Sequence, residues 1–261
     1  MQQWVDSPNL PTSSVTMVAV SEDAVEAIAA LKQFGIRVLK ITKSPKFAEP
    51  VASHADMQCH LVTGTTGFCT DDSLQKAFRN VGIHLCRTKV QNFSAYPEDC
   101  SLNAARVGSL VFANPKCICQ ELFEAIQRLY LTLIPVHQGY AKCSTVVVSE
   151  RAIITADSGI AHAAGSAGLD ILKLQPGYIR LDGYAYGFIG GTCGKLSAST
   201  IAFAGSVNSH PQAAEILKFL EEHQVQAISL HEGPLQDIGG ILPLAETAET
   251  KCDGVRKNSD I

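Results

Sequence analysis

The chain has 261 residues, is 46% hydrophobic and 18% charged, and carries a formal net charge of −4. That balance predicts a well-buried globular core rather than a disordered segment, and its acidic sign speaks against a nucleic-acid surface. No stretch approaches the roughly 20 apolar residues that span a bilayer, and Met1–Ser14 has no basic region followed by an apolar block, so a soluble, cytosolic protein without a secretory leader is expected.

Read from the N-terminus, five segments repeat one order of elements. The first opens with an apolar strand, Val15–Val20. Ser21 reads as a helix N-cap, with Glu22 and Asp23 in the first turn where the helix dipole favours acid. Ala24, Val25, Ile28, Ala29 and Leu31 have helical spacing, Gly35 ends the helix, and Ile36–Ile41 follows as a strand. The second segment has Gln58–Val62, then Gly67–Cys69, a helix from Asp71 to Gly82, and Ile83–Thr88. The third has Val107–Ala113, a helix from Pro115 to Tyr130, and Leu131–Val136; a proline suits the first helical turn, where its missing donor is an orphan anyway. The fourth has Ser144–Val148, a turn at Glu150-Arg151, Ala152–Ala156, a helix capped by Asp157 and ended by Gly168, and Leu169–Leu174. The fifth has Lys195–Ala204, a helix from Pro211 to His223, and Val225–Leu230. Ala245–Ile261 reads as a loosely held polar tail.

No Pro/Ser/Gly linker divides the chain, so residues 1–261 are expected to form one domain. One strand–strand–helix–strand unit cannot bury both faces of its sheet. Five arranged around an axis can, with helices outside and first strands inside. The predicted class is therefore α/β, a five-module propeller with pseudo-fivefold repeats.

Nine cysteines in a cytosolic chain should be mostly reduced, and no zinc-ribbon spacing occurs. Cys59, Cys100, Cys143 and Cys193 lie 10 to 12 residues before Cys69, Phe112, Ile154 and Phe203. That register predicts one layer of thiols around the axis, with Leu242 where a fifth would stand. Such thiols are either small apolar fillers or functional groups. The functional forms are a metal-holding set and a lone nucleophile, Cys143 or Cys193, with a neighbour such as Lys142 lowering its pKa. A five-module ring should leave a pocket rather than a cage, so neither a metal nor a cofactor is assigned.

Three short motifs sit in this layout: Phe188-Ile189-Gly190-Gly191, His54-Ala55-Asp56 and Asp237-Ile238-Gly239-Gly240. Layout and motifs together resemble the penteins, the α/β-propellers of the guanidine-modifying enzymes. That family includes arginine and agmatine deiminases, dimethylargininases, amidinotransferases and a non-enzymatic ribosome anti-association factor. The first motif resembles the family's Gly-Gly turn that brings an acid to the substrate, with Thr192 where the acid usually stands. The second resembles its His-x-Asp element, placed in an earlier module. The third resembles the glycine pair before the catalytic cysteine, but Ile241-Leu242-Pro243-Leu244 follows and no cysteine is there. Cys252 lies in the tail without the glycine context. The resemblance implies thiolate attack on a guanidinium carbon, a carboxylate pair that holds the cation and a histidine that moves protons. Without the C-terminal thiol that reaction is not expected in its usual form.

The polar entry loops before each first strand supply the candidate ligand contacts. They hold His54 and Asp56; Asp99 and Asn103; Gln138, Tyr140 and Lys142; Gly190 and Gly191; and Asp237, Gly239 and Gly240. A rigid scaffold would gather these loops at one end of the axis. Gly187–Gly194 lacks the GK[ST] ending of a phosphate loop, no G-x-S-x-G elbow occurs, and His162 and His210 read as helix-surface or capping residues. The expectation is a divergent pentein that binds a small polar molecule, guanidino or amino-acid-like, without cysteine chemistry. Two alternatives stay open: an amidinohydrolase or amidinotransferase using an axial cysteine, and a protein-interaction module. Neither nucleic acid nor membrane is expected as a partner.

Overall fold

Each repeated segment builds its own small sheet in the computed structural model, which describes residues 2–248. The second sheet has β4 (Cys59–Leu61), β5 (Thr66–Cys69) and β6 (His84–Arg87). The third has β7 (Ala105–Val107), β8 (Leu110–Ala113) and β9 (Thr132–Pro135). The fourth has β10 (Thr145–Ser149), β11 (Ala152–Thr155) and β12 (Asp170–Lys173), and the fifth has β13 (Cys193–Ser197), β14 (Thr200–Phe203) and β15 (Gln226–Ser229). In each, the first two strands are antiparallel, and the third returns parallel to the second after a helix.

The first sheet draws on both ends of the chain. Its order is β1 (Gln2–Trp4), β16 (Leu242–Thr247), β2 (Val15–Ser21) and β3 (Arg37–Ile41). The C-terminal strand takes the place that a first strand takes elsewhere, antiparallel to β2. Ala245, Glu246 and Thr247 therefore belong to a strand and not to a tail, because their backbone groups pair with β1 and β2. The rest of the expected tail, with Cys252, lies outside the described residues from 249 on.

The connecting helices are α1 (Val25–Gln33), α3 (Asp72–Arg79), α4 (Gln120–Arg128), α5 (Ser158–Ser166) and α6 (Ala213–Glu222); α2 (Ala55–Gln58) is a single turn in an entry loop. Asp157 caps its helix as expected, accepting from the Ile160 amide, and Asp71, expected only as a helix start, is the cap of α3, accepting from the Leu74 amide. Ser21 does not cap: the helix starts later, after Ala24, and the Ser21 hydroxyl turns to Ser53. The helix expected at Pro115 starts at Gln120 instead. Asn114 uses the intervening residues for a turn, its side chain accepting from Lys116 N and its carbonyl from Cys117 N and Ile118 N.

Five apolar cores hold the sheets together, and each is shared by two neighbours. Met17 and Phe78 join the first and second sheets. Phe68 and Leu122 join the second and third, Phe112 and Ile153 the third and fourth, and Ile154 and Phe203 the fourth and fifth. Ala202, Val18 and Leu31 then join the fifth to the first. Inner strands are buried along nearly their whole length, whereas third strands are exposed or half-buried over most of theirs, so every module faces two neighbours inside and water outside. Among the described residues no helix is long and apolar enough to cross a membrane.

Candidate functional site

The five entry loops meet and hydrogen-bond to one another in turn. Asn103 Nδ2 donates to the Asp56 carbonyl at 3.0 Å, linking the loops that enter the second and third sheets. Its Oδ1 accepts from Lys142 N at 2.8 Å and Cys143 N at 3.2 Å, linking the third and fourth. Gly191 N donates to the Cys143 carbonyl, and Ile238 N and Gly240 N donate to the Gly191 carbonyl. Asp56 N donates to the Gly239 carbonyl and completes the circuit. Backbone polar groups that would be orphaned in the buried centre are satisfied in this way.

Inside the circuit lie ionisable groups that seldom occur so deep. His54, Asp56, Lys142 and Asp237 are all buried. His54 Nδ1 lies 3.8 Å from Asp237 Oδ1. Asp237 also accepts from Phe188 N at 2.9 Å and Gly239 N at 3.0 Å. Burial raises its pKa above the ordinary carboxylate value, His54 opposes that, and the neighbouring Asp56 adds to it. Both carboxylate oxygens of Asp56 are buried without a hydrogen-bond partner. Lys142 Nζ reaches toward the Gly190 carbonyl at 3.5 Å.

Glycines make this packing possible. A Cβ on Gly191 would stand 1.9 Å from Asp237 Oδ1, and one on Gly239, whose φ is +73°, would stand 2.4 Å from His54 Cβ. These glycines admit the site's own side chains, where the sequence suggested approach by a ligand. Gly190 and Gly240 serve the same centre, Gly190 lying against the Lys142 and Thr145 carbonyls.

The cysteine register does not survive in three dimensions. Cys59 and Cys193 pair with Cys69 and Phe203 as counted. In the third and fourth sheets, however, Phe112 pairs with Ala105 and Ile154 with Val146. Entry loops of different length leave Cys100 in a 3₁₀ turn and Cys143 two residues ahead of β10. The four thiols therefore do not share a layer. Among the described residues no group of three His, Cys, Asp or Glu side chains is arranged to hold a metal.

Cys143 does lie at the centre, its sulfur 2.9 Å from Asn103 Nδ2. Burial, with Asp56 and Asp237 nearby, pushes its thiol well above the usual value. Cys193 is pushed up to about 12 by burial, although Lys142 pulls the other way. At both sulfurs burial favours the neutral thiol over the thiolate.

Asp99, Gln138 and Tyr140, also expected as contacts, bond to partners outside the circuit. Tyr140 Oη donates to Asp99 Oδ2 at 2.7 Å, and its ring packs on Phe188. Gln138 turns away from the centre to Asp157, donating at 3.1 Å. An aromatic cluster of Phe47, Phe93, Tyr140 and Phe188 lies over Cys143.

His54 and Asp237 line a cavity of about 440 Å³ between the segments around residues 43–54, 181–183 and 236–238. Asp23, Glu49, Ser53 and Asp182 contribute to its walls, and Lys43 is the only lysine or arginine among the lining residues. Lys43 is already paired with Glu49 at 2.6 Å and Asp23 at 3.5 Å. Ser21 donates to Ser53 and Ser53 to Asp23 Oδ2, each at 2.7 Å. Sequence reasoning assigned Ser21 and Asp23 to a helix start and missed them here. The available signal was their place at the carboxyl end of β2, where loops of α/β sheets present ligand groups.

A model of a family of unknown function (DUF6873) matches residues 19–242. No curated protein matches the chain. Among solved structures, an inosamine-phosphate amidinotransferase from Streptomyces griseus superposes with a TM-score of 0.53 at 12% identity, over 95% of this chain and 98% of that one. An amidinotransferase of saxitoxin biosynthesis from Microseira wollei gives 0.52 at 11% identity, over 86% and 91%. A putative peptidyl-arginine deiminase gives 0.52 at 8% identity, over 88% and 93%. All are penteins, and this chain shares their fold.

Proposed function

Because the chain belongs to the DUF6873 family of unknown function and is built on the pentein fold, we propose that it binds a small cationic ligand, guanidino or amino-acid-like, in the cavity floored by His54 and Asp237. The supporting observation is electrostatic. Of the four carboxylates in the cavity walls, Asp23 and Glu49 share Lys43 and Asp182 pairs with Arg180 at 2.8 Å, which leaves Asp237, with only His54 near it at 3.8 Å, for a bound cation. Asp237 is a buried carboxylate whose ionised form is penalised, and a bound cation would remove that penalty. Asp56 stands behind it with two further unpartnered oxygens. The similar structures named as amidinotransferases and a deiminase favour a guanidino compound over a simple amine.

The reading is of binding without cysteine chemistry, by residues acting as one domain. A nucleophilic thiol must ionise, and burial opposes this at Cys143 and Cys193. Leu242 and Pro243, which the family resemblance puts where a pentein thiol would stand, begin strand β16.

Calorimetric titration with arginine and agmatine tests the proposal. Saturable binding that Asp237→Asn weakens at least tenfold is expected, with no product accumulating. Citrulline or carbamoylputrescine formed above a blank, and lost in Cys143→Ser, would establish the enzymatic alternative instead.

A further inference from the structure

A second cavity, of about 350 Å³, opens between the fourth and fifth sheets. Its volume falls within the usual range of small-molecule sites. Leu174, Ile179, Ile189 and Phe188 give it an apolar surface, and the only formal charge among its lining residues other than histidine is Asp157.

The polar groups of this cavity are few and of defined type. His210 is 4% exposed. Its Nδ1 accepts from Gln212 N at 3.0 Å, which places the ring proton of the neutral imidazole on Nε2. Nε2 makes no hydrogen bond to a described residue, so its N–H is free for whatever fills the cavity. Burial lowers the His210 pKa, so the ring is neutral at neutral pH. Across the lining, the Ser158 and Gly159 amides lie in the first turn of α5, where no intrahelical acceptor exists. Asp157 is an acceptor, already taking Ile160 N on Oδ1 and Gln138 Nε2 on Oδ2, and each oxygen retains a further lone pair. Ser144, also in the lining, is buried with no partner for its hydroxyl.

We propose that this cavity is a second ligand site, for an uncharged small molecule whose apolar body carries a carbonyl acceptor beside an N–H donor, that is, a carboxamide or lactam. The carbonyl meets His210 Nε2–H and the α5 amides, the N–H meets Asp157, and the body packs on Ile179, Ile189 and Phe188. A carboxylate ligand would face Asp157 with like charge. An ammonium would leave the His210 and helix donors unpaired, a cost of the same order as a lost hydrogen bond. The neutral amide satisfies both sets.

Amide NMR titrations of the full chain with benzamide, nicotinamide and uracil, and with benzoate and benzylamine as charged matches, test this. Saturable shifts at Gly159, Ile179 and Phe188 are expected with the neutral compounds and not with the charged pair. His210→Asn keeps an acceptor for Gln212 N but withdraws the donor from the cavity. It should weaken benzamide roughly 3- to 10-fold, the worth of one hydrogen bond. Ala156→Leu, which fills the cavity, should abolish binding and covers the case in which the histidine variant fails to fold. Glu49→Gln, in the wall of the acidic cavity and away from this one, should leave benzamide affinity unchanged, which separates the two sites. Absence of binding by all three neutral compounds, equal binding of benzoate or benzylamine, or affinity that survives Ala156→Leu would overturn the proposal.

Discussion

At Asp237 burial works against ionisation, and the consequence can be read from pH. Its folded pKa lies above the ordinary carboxylate value, so between that value, about 3.9 for an unfolded aspartate, and the folded pKa the native state binds more protons than the unfolded one. Its contribution to stability is present below the unfolded pKa and is lost as pH rises through the folded pKa. Asp237→Asn keeps an acceptor for the Phe188 and Gly239 amides and removes the charge. The ligand-free variant should therefore gain relative to wild type as pH rises above about 4 in paired thermal melts. A constant offset across that range would show that Asp237 is not strained as an anion. Lys195 makes the opposite case. Burial lowers its pKa to about 8, while its Nζ donates to the Val148 and Ala198 carbonyls. Between about pH 8 and the unfolded lysine value near 10.4 the unfolded state binds more protons, so this residue's contribution grows with pH. The stability difference between wild type and Lys195→Met should widen in favour of wild type over that range.

At the scale of elements, the caps separate local from tertiary information. Asp71 Oδ1 accepts from Leu74 N at 2.9 Å and also holds Ser73. Asp71→Ala should cost about 1 kcal/mol in denaturant unfolding, the usual loss for such a cap. Ser21→Ala should instead disturb the Ser53–Asp23 chain and the acidic cavity. It should weaken ligand binding more than it lowers stability, and a cost confined to stability would restore Ser21 to a purely structural part. This contrast also marks what the sequence can tell. Asp157 was legible as a cap, and Asp71 as a helix start, because a capping carboxylate and its target amide are three residues apart. Ser21 was misassigned because its partner, Ser53, is remote in sequence. The strands of the second to fifth sheets were legible because each pairs within its own module, whereas β16 reads partly as a tail because its partners β1 and β2 lie at the other end of the chain. The cysteine register was not legible, since entry-loop length shifts Cys100 and Cys143 off the ladder while leaving the count of residues almost unchanged. The centre was legible as a set of polar loops, but the circuit through Asn103, Cys143, Gly191 and Gly239 was not, because each link crosses between modules.

For the whole molecule, the cyclic order of the cores carries a thermodynamic consequence. If the fifth-to-first seam is equivalent to the others, a cavity made there should be as costly as one made elsewhere. Leu31 in that seam and Leu122 in the second-to-third seam are both fully buried. Leu31→Ala and Leu122→Ala should each cost about 2–5 kcal/mol, the range for buried leucine truncation. Both should unfold in one transition with the denaturant dependence of wild type, because no module can part from its neighbours without exposing two cores. The C-terminal strand makes the same seam topologically necessary. Glu246 is buried in β16 and accepts from Thr12 N at 2.6 Å, Ser13 N at 2.8 Å and Thr12 Oγ1 at 3.1 Å. Strand β16 thus ties the N-terminal segment down while it completes the first sheet. If Leu31→Ala instead produced an early, separate transition while Leu122→Ala did not, the first module would be an independent appendage. The cavity floored by His54 and Asp237, which takes walls from the first, second and fifth modules, would then have to open whenever that appendage detached.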